Sequence, residues 1–176
     1  MSKNIIRQEM FSKRRNHDRN EKHLRELDII KKVRLHPKYK DAETVAIFYP
    51  MIDEVDLLPL LEDNTKTFLL PRVHRHGLEF YVYHPMIEFE TSSFGVFEPK
   101  ITEKIHHEPI DLMLVPALAI SKGNDRIGYG KGYYDRYLSS HTIHHTIGVI
   151  FDFQEKDAIE YSPLDHRLKE YIKGSL

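Results

Sequence analysis

Asp111-Leu-Met-Leu-Val-Pro-Ala-Leu-Ala-Ile120 is a continuous apolar run that leads through Ser121-Lys-Gly-Asn-Asp125 into Arg126-Ile-Gly-Tyr-Gly-Lys-Gly-Tyr-Tyr-Asp135-Arg-Tyr-Leu138. Such a run suits a strand buried on both faces, as in a parallel sheet. Ligands of open α/β sheets bind beyond the carboxyl ends of strands, and the glycine segment follows such an end. Gly128, Gly130 and Gly132 alternate with Tyr129 and Lys131. Alternate glycines permit positive φ and let a ligand approach the backbone closely. Successive exposed N–H groups form a concave anion site, and a helix starting near Gly132 would turn its positive end to the same place. Arg126 and Lys131 add fixed positive charge, and Asp135 offers an oxygen to a divalent cation. These residue types in this order predict a nucleotide-phosphate site. A glycine-rich surface turn is the plainer reading of an isolated G-x-G-x-G, but here the strand, the cations and the acid all point to a ligand. The dinucleotide motif would need glycine where Tyr133 stands, and a Walker loop would need Ser or Thr where Gly132 stands.

Outward from this stretch, strands and helices alternate. Residues 3 to about 36 read as one or two amphipathic helices, with Ile6 and Met10 four apart and Leu24, Leu27, Ile30 and Val33 three apart. Pro37 ends that pattern. Strands are predicted at 44–49, stopped by Pro50, and at 67–70, stopped by Pro71. An alternating edge strand is predicted at 78–83, a central strand at 112–115, another at 146–151, and a last one near Tyr171. Short helices are predicted at 56–62 and 133–140, and 84–108 reads mostly as loop. This alternation argues for an α/β fold with a mainly parallel sheet. The expectation is one domain over 1–176, with a helical part at about 3–36 and an α/β core at about 44–176.

Bulk properties exclude several functions. The formal charge of −1 offers no footprint for nucleic acid or an anionic membrane. Without cysteine there is no disulfide framework and no thiol chemistry. No signal-peptide core is visible at the start, and no apolar run reaches the about 20 residues that span a bilayer. The cytoplasm is the expected setting. Lys13, Arg14 and Arg15 read as a solvated helix face, since Glu21, Glu26 and Asp28 follow soon after. The arrays His74-x-His76 and His141-x-x-His144-His145 lack a recognisable metal triad and read as solvated or core histidines.

The segment Arg126–Asp135 resembles the signature of the 5-formyltetrahydrofolate cyclo-ligase family, also called methenyltetrahydrofolate synthetases, with Arg-x-Gly-x-Gly-x-Gly-Tyr-Tyr-Asp intact. The resemblance extends to Lys3-x-x-x-Arg7, Tyr49-Pro-Met-Ile-Asp53-Glu54-Val-Asp, Leu70-Pro71, Phe94-Gly95-Val-Phe-Glu98-Pro99 and Asp165. It implies a three-layer αβα, Rossmann-like fold with a mixed, mainly parallel sheet, preceded by the N-terminal amphipathic helices. It implies ATP-dependent closure of 5-formyltetrahydrofolate to 5,10-methenyltetrahydrofolate, with Mg²⁺ accompanying ATP. On this resemblance, ATP is held by Lys3, Arg7, Arg126, Gly128, Gly130, Lys131, Gly132, Tyr133 and Tyr134. Arg126 and Lys131 assist catalysis. Tyr49, Glu54 and Tyr129, with Gly130, Lys131, Gly132 and Tyr133, bind the folate, and Asp135 and Asp165 bind the metal. ATP and a reduced folate are then the partners of a monomer.

Three departures stand out from the family pattern. Ala117 replaces a usual glycine, Ile120-Ser121 replace an aromatic and an aspartate, and Asp165-His-Arg-Leu-Lys169 puts lysine at a second late acid. They leave open an ATP- and folate-binding protein with little turnover. The same sequence also admits activation of another small molecule on this scaffold, or an interaction module using the basic N-terminal helix.

Overall fold

A computed structural model describes residues 1–176. Helix α1 (Lys3–Arg15) begins where Ser2 Oγ accepts the Ile5 N–H, and α2 (Arg19–Leu35) begins where Asp18 accepts the N–H groups of Asn20 and Glu21. Both are side-chain N-caps that satisfy otherwise orphaned donors. Pro37 does end α2, but it also starts the short α3 (Pro37–Asp41) from the first-turn position that proline suits.

The main sheet comprises β1 (Thr44–Ala46), β2 (Thr67–His74), β3 (Gly77–Val82), β6 (Ile110–Pro116), β9 (Ile143–Phe151) and β11 (Glu170–Gly174), in the order β11-β9-β6-β1-β2-β3. All neighbours are parallel except the antiparallel β2–β3 pair at the edge. From β1 the chain steps one way to β2 and β3, and later the other way from β6 to β9 and β11. The order therefore reverses between β1 and β6.

Alternation along β6 feeds two cores. Leu112 and Leu114 join Val45, Ile47, Ile147 and Val149 under Ile29, Ile30 and Val33 of α2. Met113 and Val115 join Ala46, Phe80 and Ile150 under Tyr137 and Leu138 of α4 (Tyr133–Ser140). A third cluster seats Ile6 and Met10 of α1 on Leu118, Ala119 and Ile127. Those three residues belong to a small sheet or its approach, built from β7 (Ala119–Ser121), β8 (Arg126–Ile127) and β10 (Glu155–Lys156). Helix α1 is thus mounted beside the glycine segment rather than on the main sheet.

Several sequence expectations need correction. The run Asp111–Ile120 is two strands in two sheets. Pro116 has no N–H to continue a ladder, and beyond it Gln154 Nε2 donates to the carbonyls of Ala117 and Leu118, each at 3.0 Å. Pro71 does not stop β2. Leu69 accepts from Ile47 on the β1 side, so Pro71, two residues on, faces the same way but beyond the end of β1, where no partner needs its missing N–H. Two positions further, the Val73 N–H is taken by Glu98 at 2.8 Å. Residues 84–108 contain a hairpin, β4 (Phe89–Thr91) with β5 (Phe97–Pro99). On α2, Leu24 and Leu27 are exposed, and Ile29, Ile30 and Val33 form the buried face. A spacing of three drifts by about 60° per step around a helix, so only the end of that stripe meets the sheet.

The departures at 117–121 are absorbed by packing. Ala117 and Ile120 are buried in the α4-side core. Ser121 Oγ accepts the N–H groups of Gly123 and Asp125 and so caps the β7–β8 turn.

Candidate functional site

The crevice at the carboxyl ends of β1 and β6 is where strand order reverses, the place ligands occupy in open α/β sheets. One wall is the segment after β1, from Tyr49 to Glu54. The other is the glycine loop, which β6 delivers through the β7–β8 hairpin rather than directly.

Arg126 anchors the loop from beneath. Its Nε donates to the Pro116 carbonyl at 2.7 Å, its guanidinium lies 5.2 Å from the centre of the Tyr134 ring, and Asp135 Oδ1 is 3.8 Å away. At 8% exposure, burial lowers its pKa while Asp135 opposes the change. Its charge therefore faces the loop's underside instead of open solvent. Burial likewise raises the Tyr134 hydroxyl against the pull of Arg126. A Cβ at Gly128 would lie 2.7 Å from Arg126 Nη2, so any larger residue there must push the buried guanidinium aside. Gly130 and Gly132 have φ of +98° and +69°, left-handed values that disfavour other residues. Gly132 is the residue from which α4 starts, at the position expected for an anion-facing helix end. Lys131 is exposed at the tip. Tyr133 is half-buried, with the Arg136 guanidinium 5.2 Å from its ring centre.

Helix α1 closes one side. Arg7 Nε donates to the Gly128 carbonyl at 2.9 Å, and Lys3 forms an ion pair with Asp165. Burial raises the Asp165 pKa, but the Lys3 ammonium and the Ser162 N–H outweigh it and hold the carboxyl low. Asp135 Oδ1 accepts the His166 N–H at 3.2 Å. Asp135 and Asp165 therefore sit on the same side of the loop, each with a hydrogen-bond or ion-pair partner of its own, and no third His, Asp or Glu joins them. Two carboxylates are a set that suits Mg²⁺ when phosphates and water supply the remaining oxygens.

Glu54 is 7% exposed. Its Oε1 accepts the Met51 N–H at 2.8 Å and its Oε2 accepts the Tyr129 hydroxyl at 2.9 Å. Burial raises its pKa, opposed by the Met51 N–H, Arg14 and Tyr129. The expected folate residues Glu54 and Tyr129 are therefore in direct contact. Tyr49 stands apart from that pair, edge-on to Phe89 and Phe97 at ring-centre distances of 5.4 and 5.2 Å.

Arg14 corrects the expectation of a solvated basic face. It is 3% exposed, donates from Nη2 and Nε to Asp53 at 2.8 and 3.3 Å, and from Nη1 to Tyr129 Oη at 2.7 Å. Arg14 and Asp53 thus join the candidate site through Tyr129, and sequence reasoning misses them. The available signal is helical spacing, since Ile6, Met10 and Arg14 fall four apart on the buried face of α1.

A family model described as the 5-formyltetrahydrofolate cyclo-ligase family matches residues 1–173. The 5-formyltetrahydrofolate cyclo-ligase of Escherichia coli K12 is 29% identical over 150 residues, 80% of this chain and 82% of that protein. That of Mycoplasma pneumoniae is 29% identical over 159 residues, 89% of this chain and 90% of its own. The solved structure of Aquifex aeolicus 5,10-methenyltetrahydrofolate synthetase superposes with a TM-score of 0.86 at 28% identity, covering 98% of this chain and 90% of that one. The family match spans nearly the whole chain: the chain belongs to the 5-formyltetrahydrofolate cyclo-ligase family.

Proposed function

We propose that the protein converts 5-formyltetrahydrofolate and ATP to 5,10-methenyltetrahydrofolate, ADP and phosphate. The observation that carries this reading is the hydrogen bond from Tyr129, inside the glycine loop, to Glu54 beyond β1. It joins a phosphate-type loop to a buried carboxylate at one crevice. The reversal of strand order between β1 and β6 supports a Rossmann-like placement of ligands there.

The formyl group on N5 is an amide, and its oxygen leaves poorly. Transfer of the γ-phosphoryl to that oxygen releases ADP and creates a phosphate leaving group. N10 then attacks the formyl carbon and loses its proton, and phosphate departs with the former formyl oxygen as the ring closes. No protein nucleophile is needed, so the protein supplies position and charge. The amides of Gly128–Gly132 and the α4 N-terminus cradle phosphates. Lys131 neutralises the charge that develops on transfer, and Arg126 holds the loop in shape from beneath. Arg7 reaches the loop from α1, and Lys3 exchanges Asp165 for phosphate when nucleotide binds. Glu54 accepts hydrogen bonds from the planar N–H edge of the pterin, a donor set that suits a carboxylate. Tyr49, with Phe97, and Tyr133 offer ring surface. Mg²⁺ would come with ATP, its phosphates and water supplying most of the oxygens, and Asp135, with Asp165 once Lys3 leaves it, would be the carboxylates that hold it. The reading keeps ATP and a reduced folate as the partners of a monomer in the cytoplasm. Ala117, Ile120 and Ser121 are absorbed in core packing and a turn, so no observation favours a turnover-deficient binding protein.

The test is growth of the near-ultraviolet band of the methenyl product when purified protein meets 5-formyltetrahydrofolate and Mg·ATP. Lys131→Ala should lower kcat by about 100-fold or more, as loss of a transition-state charge partner does, with the melting temperature unchanged because the side chain is exposed. Parallel loss of folded protein and activity would remove Lys131 from that role.

A further inference from the structure

A guanidinium as buried as Arg14 is costly unless its donors are satisfied. Asp53 takes two of its N–H groups and the Tyr129 hydroxyl takes a third. Arginine has no acceptor. Once Nη1 donates to Tyr129 Oη, the hydroxyl proton must point elsewhere, and it points to Glu54 Oε2. The relay Arg14→Tyr129→Glu54 therefore has a fixed direction. With Met51 N–H on Oε1, each carboxylate oxygen of Glu54 has one hydrogen bond and spare acceptor capacity for a ligand.

We propose that Arg14, oriented by Asp53, is a positioning residue for the folate end of the site: through Tyr129 it sets the orientation of the Glu54 carboxylate and keeps it an acceptor. The inference rests on the cyclo-ligase reading. Arg14 acts through another residue and touches no reacting atom. The groups bearing on Glu54 are Arg14, Tyr129 and the Met51 N–H, which favour its ionised form, and Asp53, which together with burial opposes it. Burial already outweighs the groups that favour ionisation and raises the Glu54 pKa, and removing the Arg14 charge raises it further, so Glu54 takes up a proton at higher pH.

Steady-state kinetics of Arg14→Gln across pH test this. KM for 5-formyltetrahydrofolate should rise about tenfold or more, the cost of weakening hydrogen bonds to a buried charged group. By contrast, kcat and KM for Mg·ATP should stay within about twofold. The acid limb of kcat/KM for the folate should move to higher pH. Tyr129→Phe cuts the relay while leaving the Arg14–Asp53 pair in place, so it keeps the question open to test if Arg14→Gln folds poorly. It should move the same two readouts in the same direction. In the double variant the effects should be less than additive, because one relay can be broken only once. Additive effects, or a rise in both KM values with an unmoved acid limb, would assign Arg14 a structural role alone. An inactive wild type would remove the functional reading and the inference together. An active wild type with either of those patterns would remove only the inference.

Discussion

Gly128 and Gly148 show how residues of one type carry different constraints. Gly128 has no positive φ, and the constraint on it comes from Arg126, whose Nη2 would lie 2.7 Å from a Cβ. Gly148 in β9 faces Ile120 and Leu168, with Leu168 Cδ1 2.7 Å from the position of a Cβ. Gly148→Ala overpacks a core and should cost about 1–3 kcal/mol in urea unfolding, with kcat/KM per folded molecule unchanged. Gly128→Ala should instead displace Arg126 from the Pro116 carbonyl and lower kcat/KM by a larger factor than its loss of stability explains. Equal ratios of activity to stability in the two variants would show that Arg126 does not shape the loop. The glycine signature is readable in the sequence because its residues are contiguous. Arg14 is not, because charge class argues for solvent, and only the partners Asp53 and Tyr129, 39 and 115 residues away, make its burial tolerable.

Among elements, α4 is found at the residues the pattern predicts, Tyr133–Ser140, since its start is set locally by Gly132. Strand limits are less legible wherever a proline's effect depends on a distant neighbour. Pro116 ends β6, whereas Pro71 sits inside β2 beyond the reach of β1. The junction of α3, β9 and β11 is likewise invisible in the sequence. There His36 Nε2 lies 2.8 Å from Glu170 Oε1, and His145 Nε2 pairs with Oε2. Burial raises the Glu170 pKa, but the two imidazoles more than offset it and hold it below the ordinary 4.5. A carboxylate depressed in the folded state stabilises fully above its unfolded value and loses that contribution as pH falls through the folded one. Glu170→Gln should therefore lower the urea midpoint at about pH 7, and the gap from wild type should close as pH is taken below about 4. A gap that stays constant across that window would mean the histidines do not bias Glu170.

At the scale of the molecule, helix α1 touches both halves of the crevice. Its first turns bring Lys3 to Asp165 and Arg7 to the Gly128 carbonyl, and its last turn brings Arg14 to Tyr129 and Asp53. Between these ends Ile6 and Met10 fix it to the small sheet. In the proposed mechanism nucleotide phosphate competes for Lys3 and Arg7, while the folate engages Glu54, which Arg14 governs through Tyr129. Each ligand therefore acts on a different end of one rigid helix, and coupling between two sites is reciprocal by thermodynamic necessity. A non-hydrolysed Mg·ATP analogue should tighten 5-formyltetrahydrofolate by a factor within the usual range of about 5–150, and the folate should tighten the analogue by the same factor. Calorimetric titration of each ligand with and without the other closes this cycle. Arg7→Ala, which leaves the Arg14–Tyr129–Glu54 contacts in place, should shrink the factor while preserving folate affinity in the absence of nucleotide. Equal binary and ternary affinities in the wild type would show that α1 is a fixed wall of the crevice and transmits nothing between its ends.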